Sequence, residues 1–544
     1  MRFHRYLTLI ALLFMLLPSA ALSLAAPPAL QATPVRPFGV QMQGNINESQ
    51  GVSAAMNAGT RWVRITMRWS DVEPVEQTPP QYNWAFYDAA FRNAANAGFN
   101  LIVTVTGNPA WAGINDEARR ACGPIRTEKV PRFVSFMVAA VSRYGVLPYN
   151  VKNWEMYNEP DNGNPYNFGD LGGCWGVAPN EERHRPGQLN YPERYADLLR
   201  QVYGAVKTAD PQAQVWFGGI AYDFFQPDGP FDPLFLDDVM AYLRQWGGTQ
   251  YPYFDIFNYH YYPAFRDLWN PFGPDLIGKA RYLRTELQNY SVSKPVALTE
   301  VGRPTEGLPT DPIRYSDALT ARYVPKAFAR GLAVRLSHVI WFTMVDDPNS
   351  VYKYGLLRSD GTPKPAYHAY RTTMSQISGA DYLGPVTGNA RVEGYRFSRD
   401  GRENIVAWLT DFPEPTTPQP SALLVVTATV VRMVGHLGTE TYISDGSTGD
   451  GDPRSGRIGA AINDDPIWLE INPPPTPTAT STPTATPTPT FTPTLQPFTP
   501  TAFSYLPMLT HDYRLAGPTP TPWFRRQIYL PMLRREDGFI REGS

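Results

Sequence analysis

The sequence predicts a (β/α)8 TIM barrel followed by a small antiparallel β-sandwich and a disordered Pro/Thr-rich tail. Three observations carry this expectation. Residues 36–378 alternate short β-rich runs with helical patterns, as parallel α/β folds do. Residues 379–472 hold short β-like runs between Gly, Asp and Asn turns, with no helical pattern. Residues 473–501 are Pro/Thr low complexity without a single charge, and such a tract favours extended polyproline geometry over a packed core.

The candidate strands are Phe38–Gln43, Trp62–Met67, Leu101–Thr106, Val151–Met156, Gln214–Gly218, Phe254–Tyr259, Pro295–Glu300 and Val339–Met344. Helical stretches separate them, among them Ala85–Ala97, Arg132–Tyr144, Arg194–Lys207, Leu234–Trp246, Leu276–Gln288 and Ala318–Arg330. Gly98, Gly145, Gly247 and Gly331 directly follow four of these, as glycines at helix C-termini often do. Eight such units fit a barrel with long loops. The alternative, a doubly wound open sheet, often carries a Gly-rich turn after its first strand. Here that turn reads Gly44-Asn45-Ile46-Asn47, which is not G-x-G-x-x-G. In the following domain the β-like runs are Gly394–Phe397, Ile405–Leu409, Leu423–Val431, Thr441–Ser444 and Pro466–Ile471.

Composition narrows the function. Among 544 residues, 48 Lys+Arg against 50 Asp+Glu leave a formal charge of -2, which gives no reason to expect nucleic acid as a partner. The 7 histidines form no H-x-H or H-E-x-x-H pair and only 2 cysteines occur, so neither a metal nor another cofactor is expected.

The N-terminus reads as an export signal over 1–26. Arg2, His4 and Arg5 precede an apolar run ending at Pro18, too short for a membrane span, and small residues follow. Export would place Cys122 and Cys174 in an oxidising compartment. They fall in the loops after strands three and four, where a disulfide clip is one reading and free thiols the other. Beyond the 473–501 linker, the tail 502–544 repeats Tyr505–Leu509 (YLPML) as Tyr529–Leu533. Such a repeat reads either as a surface-retention element or as a degenerate tail. Nothing in the sequence fixes an oligomeric state.

Reactive groups of a (β/α)8 barrel sit at the C-terminal ends of its strands. Strand four runs out through Asn153-Trp154-Glu155-Met156-Tyr157-Asn158-Glu159-Pro160, and strand seven through Thr299-Glu300-Val301-Gly302. Two glutamates, Glu159 and Glu300, therefore reach one rim. Glycoside hydrolysis needs such a pair, one protonating the leaving oxygen while the other attacks or activates water.

W-E-x-x-N-E-P on strand four with T-E-x-G on strand seven resembles the clan A glycoside hydrolases, retaining (β/α)8-barrel enzymes. Arg64 on strand two, His260 and Tyr262 at the end of strand six, and Trp341 on strand eight extend the resemblance. The layout is similar to families 39 and 5, with a β-sandwich after the barrel as in family 39. Gly107-Asn108-Pro109 departs from family 5, where a histidine is common. The resemblance implies a carbohydrate substrate, Glu159 as acid/base, Glu300 as nucleophile, Asn158 as donor to the sugar 2-hydroxyl and Trp341 as an apolar face against the ring. Trp111, Trp175 and Tyr222 fall in rim loops where they would stack on further sugars or simply pack. A non-catalytic sugar-binding protein on a decayed barrel is the competing expectation.

Overall fold

The computed structural model describes residues 37–164, 173–183, 186–309, 314–410 and 421–473. The expected export signal over 1–26, the expected linker beyond residue 473 and the repeat-bearing tail lie outside the described residues. The strands β1 Phe38–Gln41, β2 Trp62–Arg68, β3 Asn100–Thr106, β4 Asn153–Met156, β5 Gln214–Trp216, β6 Phe257–Tyr261, β7 Val296–Val301 and β8 Val339–Trp341 form one parallel sheet. It runs β5-β4-β3-β2-β1-β8-β7-β6, and parallel bridges Trp216–Ile256 and Ile220–Tyr259 join its ends. The sheet is a closed barrel.

A main helix follows each strand, beside single helical turns at Trp69–Val72 and Arg266–Trp269: α1 Val52–Asn57, α2 Ala85–Asn96, α3 Val130–Tyr144, α4 Tyr191–Ala209, α5 Phe235–Trp246, α6 Leu276–Asn289, α7 Asp317–Ala333 and α8 Pro365–Ile377. The sequence supplies the reasons locally. In α3, Phe133, Phe136, Met137, Ala140, Val141 and Tyr144 fall on one helical face and are buried. The start of α4 is a capping box in which Asn190 and Glu193 satisfy each other's backbone N–H groups. Strands such as Leu101–Thr106 are buried on both faces, which explains their unbroken β-branched and apolar character.

Three expectations are corrected. Helix α7 does not stop before Gly331 but runs through it to Ala333. A Cβ at Gly331 would lie 2.6 Å from Val339 Cγ2, so this glycine permits close helix–strand approach. Strand six lies further along than expected, at Phe257–Tyr261, which puts His260 on the strand itself. The run Leu423–Val431 is two strands, not one.

After the barrel come β9 Asp381–Pro385, β10 Val392–Arg399, β11 Arg402–Leu409, β12 Ala422–Thr427, β13 Val430–Gly435, β14 Glu440–Ser444, β15 Arg457–Ile462 and β16 Ile467–Ile471. Six of these form an antiparallel sheet, β14-β13-β16-β11-β10-β9, while β12 pairs with β15 in a second one. Residues of both sheets, including Ile405, Val431, Leu424 and Ile458, share one apolar core. The sandwich docks on α7 through Arg322–Asp465, Lys326–Asp464 and Arg330–Glu393 ion pairs, with Trp408 beneath the Lys326 and Arg330 cations.

Candidate active site

Strand alternation decides which side chains enter the barrel. On β2, Arg64 points inward and is buried. Its Nε and Nη2 donate to Glu155 of β4, both at 2.9 Å, forming a bidentate pair. Nη1 donates to Gln41 at 2.6 Å and to Glu300 at 2.5 Å, and Nη2 also donates to Asn158 Oδ1 at 2.7 Å. Glu155 in turn accepts from Thr104 and from the Gly219 N–H. One guanidinium thus ties β1, β2, β4 and β7 together.

Glu300 reaches this group through an irregularity in β7. Its partners jump by one residue, Tyr259 opposing Leu298 and His260 opposing Glu300. Thr299 bonds Asn258 in the interior, and the extra residue brings Glu300 toward Arg64 and the mouth as well. Glu300 also accepts from the Tyr262 hydroxyl at 2.7 Å. Burial pushes its carboxyl up, and the Arg64 cation and the Tyr262 hydrogen bond oppose that push.

Glu159 stands just past β4 with φ 45, in the left-handed region. Its N–H donates to the Gly219 carbonyl at 2.8 Å, which helps hold that backbone. Its side chain meets His260 Nδ1 at 2.9 Å, and the same nitrogen lies 3.5 Å from Glu300. Burial pushes Glu159 well above the usual carboxylate range, and the charges of Glu300, Asp161 and Asp223 add to this while Arg64 opposes it. His260 is held well below its ordinary value by burial and by the Arg64 and Lys279 cations, so it stays a neutral hydrogen-bonding ring. A side chain at Gly219 would strike it, since a Cβ there would lie 2.3 Å from His260 Nε2.

Ligand atoms of Glu159, His260 and Glu300 all lie within 4.8 Å of one another. Among the described residues this is the one group of three that could reach a common cation. His260 already bonds Glu159, and Arg64 already supplies positive charge to Glu300. The set fits two carboxylates, each held by its own hydrogen-bond partners, better than a metal centre.

Arg64, Asn158, Glu159, His260, Tyr262 and Glu300 are thus brought together. Trp341 is not. It is buried, its indole N–H donates to the Tyr354 carbonyl, and its ring lies 6.4 Å from Tyr323 of α7. The reason is alternation on β8: Ile340 occupies an interior layer with Ile102, Trp216 and Ala297, which turns Trp341 toward the helices. Phe342, the next residue, is half-buried and packs edge-on to Tyr262 and Tyr354. The aromatic wall beside Glu300 is therefore Phe342, Tyr262 and Tyr354. Trp175 and Tyr222 are buried against other aromatics, Trp175 on Tyr157 and Tyr195, Tyr222 on Phe225. Trp111 is half-buried against Trp69. Cys122 and Cys174 form a disulfide that joins the loops after β3 and β4.

Sequence reasoning missed Gln41, Asp161, Asp223, Lys279 and Phe342, and it quoted Glu155 without a role. A signal existed for Glu155, a lone charge inside an apolar strand. Another existed for Lys279, which shares a helix face with Leu276, Ala280 and Leu283.

No family model matches the chain, and no curated protein sequence does. Solved structures share its fold across barrel and sandwich. A family 39 glycoside hydrolase from Bacteroides cellulosilyticus aligns with TM-score 0.58 and 19% identity, over 81% of this chain and 82% of that one. A family 39 β-xylosidase from Caulobacter crescentus aligns with TM-score 0.54 and 15% identity, over 81% and 98%. A family 30 endoxylanase from Clostridium papyrosolvens aligns with TM-score 0.54 and 14% identity, over 81% and 97%. The chain has the (β/α)8-plus-sandwich fold of these clan A enzymes. Family 39 is one of the two that the sequence resembles, and family 30 is an addition.

Proposed function

We propose that this chain is a secreted retaining glycoside hydrolase that cleaves β-linked glycans by double displacement. The observation that carries this is the carboxylate spacing: one oxygen of Glu159 and one of Glu300 lie no more than 4.8 Å apart. That falls beside the ~5–5.5 Å of retaining enzymes and short of the ~6.5–9.5 Å that leaves room for an inverting water.

In the first step Glu300 attacks the anomeric carbon as Glu159 gives its proton to the glycosidic oxygen. The C–O bond breaks, the alcohol leaves, and a glycosyl ester of Glu300 remains. Esterification removes the Glu300 charge, so Glu159 ionises more readily and takes a proton from water, whose oxygen attacks the same carbon and frees Glu300. Asn158 has its Oδ1 committed to Arg64, which leaves its NH2 as the donating end toward the sugar hydroxyl next to the reacting carbon.

Turnover of aryl β-glycosides by the full chain, with xylosides first in the panel, tests this, and the product anomer by NMR tests retention. Glu300→Gln is expected to abolish turnover, and azide to restore it partly in Glu300→Ala. Parent rates in both variants would refute the proposal. Export is supported by the basic and apolar start of the chain and by the Cys122–Cys174 bond, a pairing typical of oxidising compartments. The repeated YLPML segment supports retention at the cell surface, and deleting Tyr529–Leu533 should then release the protein into the medium.

A further inference from the structure

Behind Glu159 lies a second charged group that the double displacement does not use. Lys279 of α6 is fully buried, and a buried ammonium is unfavourable unless paired. Its Nζ donates to Asp223 at 3.1 Å, to the His260 carbonyl at 2.9 Å and to the Ala221 carbonyl. Trp269 lies beneath the cation at 5.2 Å. Asp161, two residues past Glu159 and also buried, accepts from the Ala221 and Tyr222 N–H groups at 3.1 and 2.7 Å. Lys279 and Asp161 therefore hold the same stretch after β5 from two sides, and Lys279 also holds the backbone of the histidine that touches Glu159.

We propose, building on the acid/base role of Glu159, that Asp223 and Lys279 are positioning residues whose buried ion pair fixes the loop after β5 and balances the electric field at the Glu159 carboxyl. The groups facing Glu159 are Arg64 from β2, Asp161 from its own loop, Asp223 from the loop after β5, His260 on β6 and Tyr262 just beyond it, Lys279 from α6 and Glu300 from β7. Glu155 is engaged with Arg64. Asp223 pushes the Glu159 carboxyl up while the attraction between Lys279 and Glu159 pulls it the other way, so that loss of either partner leaves the other's field on the acid. Burial holds Lys279 below the usual ammonium range, and Asp223, Asp161 and Glu159 draw it back up, in keeping with that mutual dependence.

The basic limb of kcat/KM reports the essential acid of the free enzyme. Asp223→Asn is isosteric and still offers Lys279 an acceptor, but it leaves the cation uncompensated. Glu159 should then ionise earlier, and the basic limb should move about one pH unit lower. Asp223→Asn/Lys279→Met removes both charges, and the limb should return toward that of the parent. A purely structural pair would lower kcat with the limb in place, and would make the double variant worse. An unmoved limb in Asp223→Asn overturns the inference, as does a double variant displaced further than the single. Asp223→Asn decides alone if the double variant does not fold. A parent chain that turns over no glycoside would instead remove the acid/base role itself, and this inference with it.

Discussion

Arg64 and Glu300 meet at 2.5 Å across the barrel, from β2 to β7, while the same guanidinium forms a two-pronged bond with buried Glu155. The guanidinium thereby opposes the burial that pushes the carboxyl of the nucleophile candidate up. Arg64→Met leaves both carboxylates without that partner, at a cost of about 3–5 kcal/mol. Glu300 would then ionise later, so the acid limb of kcat/KM should move to higher pH. Denaturant unfolding and a pH–rate profile measure the two effects. Arg64→Lys keeps the charge but not the fork, and should lie between parent and Met in both.

Phe342, and not Trp341, should act on substrate. Phe342→Ala is expected to raise KM for small aryl glycosides several-fold with little change in melting temperature. Trp341→Ala removes a buried ring between strand and helix, at a cost of about 3–5 kcal/mol. The reverse pattern in kinetics and thermal unfolding would restore Trp341 to the sugar face.

The Cys122–Cys174 bond bears on Glu159 through backbone contacts. Gly173 donates to the Asn158 carbonyl, and Trp175 donates to that of Pro160 at 2.9 Å. Cys174→Ser should lower stability by up to about 4 kcal/mol on a chain-entropy basis, because the bond closes a long loop. It should also lower kcat more than it raises KM, since the loosened segment flanks Glu159, the proposed acid. Steady-state kinetics at a temperature where the variant is still folded would separate the two effects.

His338 gives a stability test away from the site. Packed against Trp62 and Trp216, its imidazole is pushed down to about 3 by burial, from an ordinary value of 6.5. Between those values the unfolded chain binds a proton that the native state refuses. The contribution is therefore fully present above pH 6.5 and is lost as pH falls toward 3, by up to about 1.4 kcal/mol per unit. His338→Gln should show a smaller fall in melting temperature between pH 7 and 4 than the parent. Equal falls would show that this histidine is not the proton acceptor.

Much of the protein is decided by the chain alone. Runs such as Leu101–Thr106, buried on both faces, and the single apolar face of Val130–Tyr144 define strand and helix without help from neighbours, and their alternation defines the barrel. Glu159 and Glu300 are legible because strand ends define the active rim of such a barrel. Other features had to wait for tertiary contacts. The extra residue of β7 at Thr299–Glu300 and the shift of strand six arise from pairing register, which local preference does not encode. The inward or outward sense of Trp341 and Phe342 follows from which β8 residue joins the interior layer. The charges around Glu159, from Arg64 to Lys279, come from segments far apart in sequence, and only folding brings them close enough for their fields to act in a medium that screens them weakly.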